Sequence, residues 1–365
     1  MEKKLIIFIP SIEDGGVEKN LFIISNYLTK KIDHIELITC NTDKRSEFDK
    51  KIKIIGPQNS FWFNKSRYLK YFLCLTLLVA RILFHKKKIL VFAFQANIYA
   101  ILIAKIFNVK IITRSNSSPS GWSRSYIKNL LFKFLLKKAD SIIVNSVHFK
   151  KEFYKKFKIQ TQCIYNPFDK KIINKKIKKK LKINFLKKND LKLISVGRLT
   201  DQKDHITLLR AFKLIDINLN PKLIIIGKGA EYQKLKAYIQ KNSLNTRIKL
   251  FGYTKNPFPI IKTSDIVILT SKFEGLPNIL LEAQYLKKYI ISTDCPTGPK
   301  EILMNGEYGT LIKVGDYKNL AAQINLYYKN KKSLKKKINK GYKNLNRFDY
   351  DLNCQKYSDL IEKFI

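Results

Sequence analysis

Acidic residues are scarce in this chain of 365 residues: 28 Asp+Glu stand against 71 Lys+Arg, a formal net charge of +43. A balance this basic draws polyanions, whether nucleic acid, anionic lipid or nucleotide phosphate. Compositional drift in a chain rich in Lys, Ile and Asn is the other reading, and it paints every surface with lysine. Cysteine is sparse too. Cys40, Cys74, Cys163, Cys295 and Cys354 lie far apart with no CxxC pair, which argues against a structural zinc site and for a reducing compartment. Long apolar runs are missing. MEKKLIIFIP is too short for a signal peptide. YLKYFLCLTLLVARILF (68–84) is broken by Arg81 and falls short of the roughly 20 residues a spanning helix needs. There is no GxxxxGK[ST] motif, which disfavours a P-loop NTPase.

What is present is enough to fold. A hydrophobic share of 45% excludes global disorder, and the length predicts two domains. Short apolar runs alternate with helical sequence: IIFIP, IELITC (35–40), ILVFAFQ (89–95), KIITRSNSSP (110–119) and DSIIVNS (140–146). Such alternation predicts a parallel sheet with both faces covered. The basic stretch KKIINKKIKKKLKINFLKKND (170–190) has little to bury and reads as a linker. After it come KLISVG (192–197), KLIIIG (222–227), RIKLFG (247–252), DIVILTS (265–271) and YIISTD (289–294). The predicted organisation is a first domain over 1–180, a second over 181–345 and a C-terminal helix, 346–365, crossing back to the first. ADSIIVNS (139–146) echoes SDIVILTS (264–271), and both read as the fourth or fifth strand of a doubly wound sheet.

In open parallel sheets ligands bind beyond the carboxyl ends of the strands, so the loops there are the candidates. Gly15 and Gly16 precede the first helix, where paired glycines allow close backbone approach and a helix N-terminus favours phosphate; a plain tight turn accounts for them equally well. Arg198 and Lys203 flank an expected helix cap at Asp201 and suit a diphosphate, as a planar fork beside a mobile point charge. Gly227-Lys228-Gly229 opens like a dinucleotide fingerprint, but Tyr232 stands where the third glycine belongs. In FEGLPNILLEA (273–283) Pro277 fits a first helical turn, the amides near Asn278–Leu280 point out of the helix, and Glu274 and Glu282 can reach different parts of one ligand. An ordinary helix start with a surface Glu is the bland alternative.

GGVEK, YNPFD (165–169), SVGRLTDQKD, GKGAEYQKL and EGLPNILLEA occur in an order that resembles the retaining GT-B glycosyltransferases of family 4, across nearly the whole chain. DCPTGPKEIL (294–303) is similar to the branch that builds bacterial surface glycans. The resemblance implies an α/β fold of two Rossmann-like doubly wound domains facing a central cleft, with no cofactor and no metal. It implies a nucleotide-sugar donor, most simply a UDP-hexose or UDP-N-acetylhexosamine, and a lipid-linked oligosaccharide or surface-polysaccharide acceptor. By the same resemblance Gly15 and Gly16 would approach the donor diphosphate, and Arg198 and Lys203 would neutralise it. Glu274 would meet the donor sugar, Gly275, Leu276 and Asn278 would lay backbone beside it, and Glu282 would hold the ribose. Many relatives carry a His in the first-domain loop; TRSNSSPSGW (113–122) has none, and Arg114 and Asn116 are the polar candidates on the acceptor side. Of His34, His85, His148 and His205, the last lies nearest a motif.

Residues 61–88 mix aromatics, lysines and an apolar face, which suits an anionic membrane surface or, alternatively, a buried helix. The expected location is cytoplasmic, on the inner face of the membrane. A nucleic-acid-binding protein is the rival from another class, but it predicts a basic stripe with interleaved aromatics, whereas here lysines are spread along the chain. A GT-B epimerase or phosphorylase is the nearer alternative, and no sign of a lysine-bound pyridoxal site is present.

Overall fold

The computed structural model describes residues 4–13, 15–86, 88–116, 119, 122–123, 125–178 and 183–365. Contacts divide the chain into two units, residues 1–167 with 348–365, and residues 168–347.

The first unit holds β1 (Lys4–Phe8), α1 (Gly16–Leu28), β2 (His34–Ile38), β3 (Ile52–Ile55), α2 (Arg67–Phe84), β4 (Leu90–Ala93) and α3 (Asn97–Ile106). It continues with β5 (Lys110–Ser115), α4 (Tyr126–Leu136), β6 (Ser141–Val144), α5 (Val147–Phe157) and β7 (Gln162–Cys163). The seven strands lie in the order β3-β2-β1-β4-β5-β6-β7, and every pairing is parallel. Period-two alternation explains why the runs are apolar throughout. Ile6 and Phe8 of β1 join the core under α2, α3 and α5, while Leu5 and Ile7 join the opposite core with Leu21, Ile24 and Leu28 of α1.

The second unit holds α6 (Lys170–Ile177), β8 (Leu191–Val196), α7 (His205–Phe212), β9 (Pro221–Ile226), α8 (Tyr232–Lys241), β10 (Ile248–Gly252) and α9 (Phe258–Thr263). Then follow β11 (Ile266–Leu269), α10 (Asn278–Tyr285), β12 (Tyr289–Thr293), α11 (Pro299–Ile302), β13 (Thr310–Ile312), α12 (Tyr317–Lys329) and α13 (Lys331–Asn344). The six strands run β10-β9-β8-β11-β12-β13, again all parallel. The order reverses between β8 and β11, and open parallel sheets place their ligand crevice beyond the strand ends at such a reversal. The equivalent reversal in the first unit lies between β1 and β4.

The contacts depart from the expected boundaries. The division falls at 167/168 rather than 180/181. α6 packs on α9, Asn256 donates to the Lys176 carbonyl at 2.8 Å, and the Tyr285 hydroxyl donates to Asn174 at 2.7 Å. At the other end α14 (Tyr350–Glu362) belongs to the first unit, where it packs on α1 and buries Tyr357, Leu360 and Ile361. The echo between 139–146 and 264–271 is not an equivalence of position: β11 is the fourth strand of its unit, but β6 is the sixth of its own. Arg81, which interrupts the apolar run of α2, turns inward and donates from Nε to Glu36 Oε2 at 2.7 Å.

Candidate active site

Val196 and Leu269 end the two strands at the reversal of the second sheet, and the loops beyond them are laced together. Lys272 N donates to the Gln202 carbonyl at 2.8 Å, and Gln202 Nε2 returns a bond to the Phe273 carbonyl at 2.9 Å. Thr270 Oγ1 donates to the Lys203 carbonyl at 3.0 Å, and Lys272 Nζ pairs with Asp201 at 2.6 Å. Lys203 Nζ thereby arrives 2.5 Å from Glu274 Oε1, which also accepts from Ser271 Oγ at 2.5 Å. The lysine and glutamate side chains are 16% and 7% exposed.

Local sequence explains this placement. Asp204 takes a left-handed conformation, which Asp tolerates better than most residues, and it caps α7 by accepting from Thr207 N at 3.4 Å and Thr207 Oγ1 at 2.6 Å. The cap is therefore Asp204 and not Asp201, which opens a short 3-10 turn. Gly197 lets the Lys203 stem pass, since a Cβ there would lie 3.3 Å from Lys203 Cε. The glycines of Gly227-Lys228-Gly229 have a packing reason: a Cβ would meet the Gly197 carbonyl at 1.8 Å or the Leu199 carbonyl at 2.3 Å. They let the loop bearing Arg198 rest directly on its neighbour. Arg198 itself is exposed.

The turn Glu274–Pro277 leads into α10. Pro277 is its N-cap rather than its first helical residue, with φ −72° and ψ 108°. No side chain caps this helix, and its first-turn amides and dipole face the crevice side. Gly275 and Asn278 are half-buried and Leu276 is buried. Glu282 follows on the second turn of α10, 6% exposed. Two further residues support the turn, and sequence reading did not single them out. Thr297 Oγ1 donates to the Glu274 carbonyl, and Gly298 fits where a Cβ would lie 1.9 Å from the Gly275 carbonyl. Thr297 has φ 78°, a strained region for a β-branched residue. The one available signal was Thr-Gly-Pro before a helix, a turn cue that names no partner.

Titratable neighbours narrow the chemistry. Burial, and then the Glu274 carboxylate beside it, pushes the Cys295 thiol up to about 12, so it is no thiolate nucleophile. Burial first, then Lys203, lowers His205 to about 4. That imidazole is 3% exposed and stays neutral at physiological pH, a support under the loop rather than a proton carrier.

The remaining expected residues lie in the first unit. Gly15 is the N-cap of α1 and Gly16 its first residue. Glu18, 7% exposed, reaches back so that a Cβ on Gly15 would lie 2.7 Å from its Oε2. A carboxylate of the chain thus already stands at this helix N-terminus. Arg114 is turned into the fold. It is 1% exposed, and its guanidinium donates to Tyr357 OH at 2.9 Å, to Asn166 Oδ1 at 2.7 Å and to Asn116 Oδ1. Asn116, half-buried, donates in turn to the Phe94 carbonyl at 3.0 Å. Arg114 is a strut joining β5, the Asn166 segment and α14, because a buried guanidinium must satisfy its donors within the fold. Ser117, Ser118, Ser120 and Gly121 of the neighbouring loop lie outside the described residues.

The model of the "Glycosyl transferases group 1" family matches residues 176–344, and that of "Glycosyltransferase Family 4" matches residues 14–171. An uncharacterized glycosyltransferase of Methanocaldococcus jannaschii is 37% identical over 56% of this chain; the matched region spans 53% of that protein, about half its length. The Campylobacter jejuni N-acetylgalactosamine-N,N'-diacetylbacillosaminyl-diphospho-undecaprenol 4-alpha-N-acetylgalactosaminyltransferase is 27% identical over 94% of this chain and 93% of its own. Among solved structures, Anabaena Alr3699/HepE in complex with UDP superposes with a TM-score of 0.78 at 19% identity, covering 99% of this chain and all of the other, which shows a shared fold. The two family matches together take in most of the chain, its two parallel sheets are those of a GT-B protein, and it belongs to the family 4 glycosyltransferases.

Proposed function

We propose that this glycosyltransferase moves a hexosyl or N-acetylhexosaminyl group from a UDP-sugar to a lipid-linked oligosaccharide or surface-polysaccharide acceptor, with retention and without a metal ion. The observation that carries the reading is the Lys203–Glu274 pair in the crevice between β8 and β11, beside the uncapped start of α10. A cation held in place beside a helix N-terminus suits a leaving diphosphate, whose negative charge grows as the sugar departs. The UDP complex of the Anabaena neighbour supports the choice of nucleotide, and the diphospho-undecaprenol in the name of the Campylobacter relative supports the acceptor class.

In this reading the diphosphate takes Lys203 and Arg198, and Glu274, released from the lysine, accepts from a hydroxyl of the donor sugar. Gly275, Leu276 and Asn278 lay backbone beside it. Glu282 holds the ribose. The bond from the anomeric carbon to the diphosphate oxygen breaks with its electron pair on that oxygen. The acceptor hydroxyl forms the new bond on the same face and passes its proton to the departing phosphate. Calorimetric titration with UDP, GDP and ADP at moderate salt tests the donor class. UDP is expected to bind selectively; selective GDP binding would replace the donor, and no nucleotide binding at all would sink the assignment of the crevice.

A further inference from the structure

The first unit carries a surface that donor binding does not use. On α4, Tyr126, Ile127, Leu130, Leu131 and Phe134 are 80%, 78%, 55%, 52% and 59% exposed. Their spacing sets them on one face of the helix, and Leu136 is the one residue of α4 that is buried. The apolar face does not stop there. α3 packs against α4 and adds Leu102 and Ile106, and α2 packs against α3 and adds Phe72, all exposed. Exposed apolar side chains gathered on three helices packed in series are uncommon on monomeric soluble proteins and mark an interaction site.

Charge identifies the occupant. Residues 50–139, which include α2, α3 and α4, contain 18 Lys+Arg and no Asp or Glu, so all 28 acidic residues lie in the other 275 positions. Drift toward lysine does not account for a complete loss of acids confined to one segment. Lys128, Lys137 and Lys138 are exposed on or just after α4, and Lys138 Nζ lies 5.3 Å from the Phe134 ring. A second copy of this chain would bring the exposed Lys128, Lys137 and Lys138 of one face against those of another, which like-charge repulsion opposes. Nucleic acid would answer the lysines and leave Ile127, Leu130 and Phe134 in water. An anionic bilayer answers both, because lysine stems reach up to the headgroups while the apolar face sinks roughly 5–10 Å into the acyl boundary. Among the described residues no helix is long and apolar enough to cross a membrane, so the arrangement is one of lying on the lipid.

We infer that the outer face of α2, α3 and α4 docks this protein on an anionic lipid surface, with α4 as the inserted helix. The sequence expectation placed this contact on 61–88 alone; α4 adds a second run of exposed apolar side chains beside it. The inference does not depend on which nucleotide the second unit takes.

Flotation of the full-length chain with vesicles tests it. Phosphatidylcholine vesicles with about a third phosphatidylglycerol should carry the protein, and pure phosphatidylcholine should not. The variant I127S/L130S/F134S should bind the anionic vesicles about tenfold more weakly or worse, with its UDP affinity unchanged as proof of fold. A second variant, K128E/K137E/K138E, should lose the preference for anionic lipid. Undiminished flotation of the serine variant would overturn the insertion. Lipid-free dimerisation of the parent that the serine variant abolishes would assign the face to a second copy and overturn the lipid assignment.

Discussion

Lys203 Nζ sits 2.5 Å from Glu274 Oε1, although the two residues are 71 positions apart and come from different loops. The pair shows how the crevice is held before a donor enters: the lysine is positioned by a carboxylate that a diphosphate would have to displace. On the proposed reading the glutamate would compete with the phosphates for Lys203 and serve the sugar only once that contact is broken. Glu274→Gln should leave UDP affinity equal or higher, while turnover falls by roughly a hundredfold for the lost charged hydrogen bond to the sugar. Steady-state kinetics alongside nucleotide titration decide it. A loss of UDP affinity as large as the loss of turnover would place Glu274 in structural support alone.

Arg114 gives a prediction of the opposite kind. Arg114→Met should lower stability by about 2–4 kcal/mol, because Tyr357, Asn166 and Asn116 lose a shared donor inside the core. UDP affinity and the KM for acceptor should hold in the variant that remains folded. A raised acceptor KM at undiminished stability would return Arg114 to the acceptor side.

His205 should make itself felt through pH. Its native form is neutral down to about 4, whereas an unfolded His takes up a proton from about 6.5 downward. Between those values the unfolded chain binds the extra proton, so stability falls as pH drops from about 6.5 to about 4, by up to about 3 kcal/mol. Denaturant unfolding of the parent and of His205→Gln across that window isolates the effect from the carboxylates. The difference between them should slope with pH; a constant difference contradicts a buried neutral imidazole.

Gly298 is expected to tolerate no side chain. The Cβ of Gly298→Ala would fall 1.9 Å from the Gly275 carbonyl and 2.6 Å from Pro277 Cδ, so the Glu274–Pro277 turn must move. Catalytic sites lose about a hundredfold for misplacements near 1 Å, and turnover should drop on that scale with the melting temperature also lowered. Parent-like turnover would mean that the turn does not position the reacting groups.

Much of this was legible because apolar strands of a doubly covered parallel sheet stand out as continuous runs. Each of KLISVG, KLIIIG and DIVILTS corresponds to a strand, and the loops after them hold the candidate residues. Short strands escaped: β7 and β13 span two and three residues, too few to show a period, and β3, IKII, is interrupted by Lys53 and only its first residue is buried. The burial of Arg114 was not legible because two of its partners lie 52 and 243 positions away, and no local pattern tells a buried guanidinium from an exposed one. Asp201 was taken for the helix cap because the left-handed turn at Asp204 shifts the start of α7 by one short turn. Thr297 and Gly298 act through backbone carbonyls of a distant loop, a role that residue type alone does not advertise.

The most direct measurement is the affinity of UDP and of uridine for the parent and for Lys203→Ala. If Lys203 holds the diphosphate, the variant should lose about tenfold to a hundredfold in UDP affinity, the worth of one charge-assisted bond, while uridine binds as before. Equal affinity of parent and variant for UDP would remove the diphosphate from the crevice between β8 and β11 and contradict the assignment built on the Lys203–Glu274 pair.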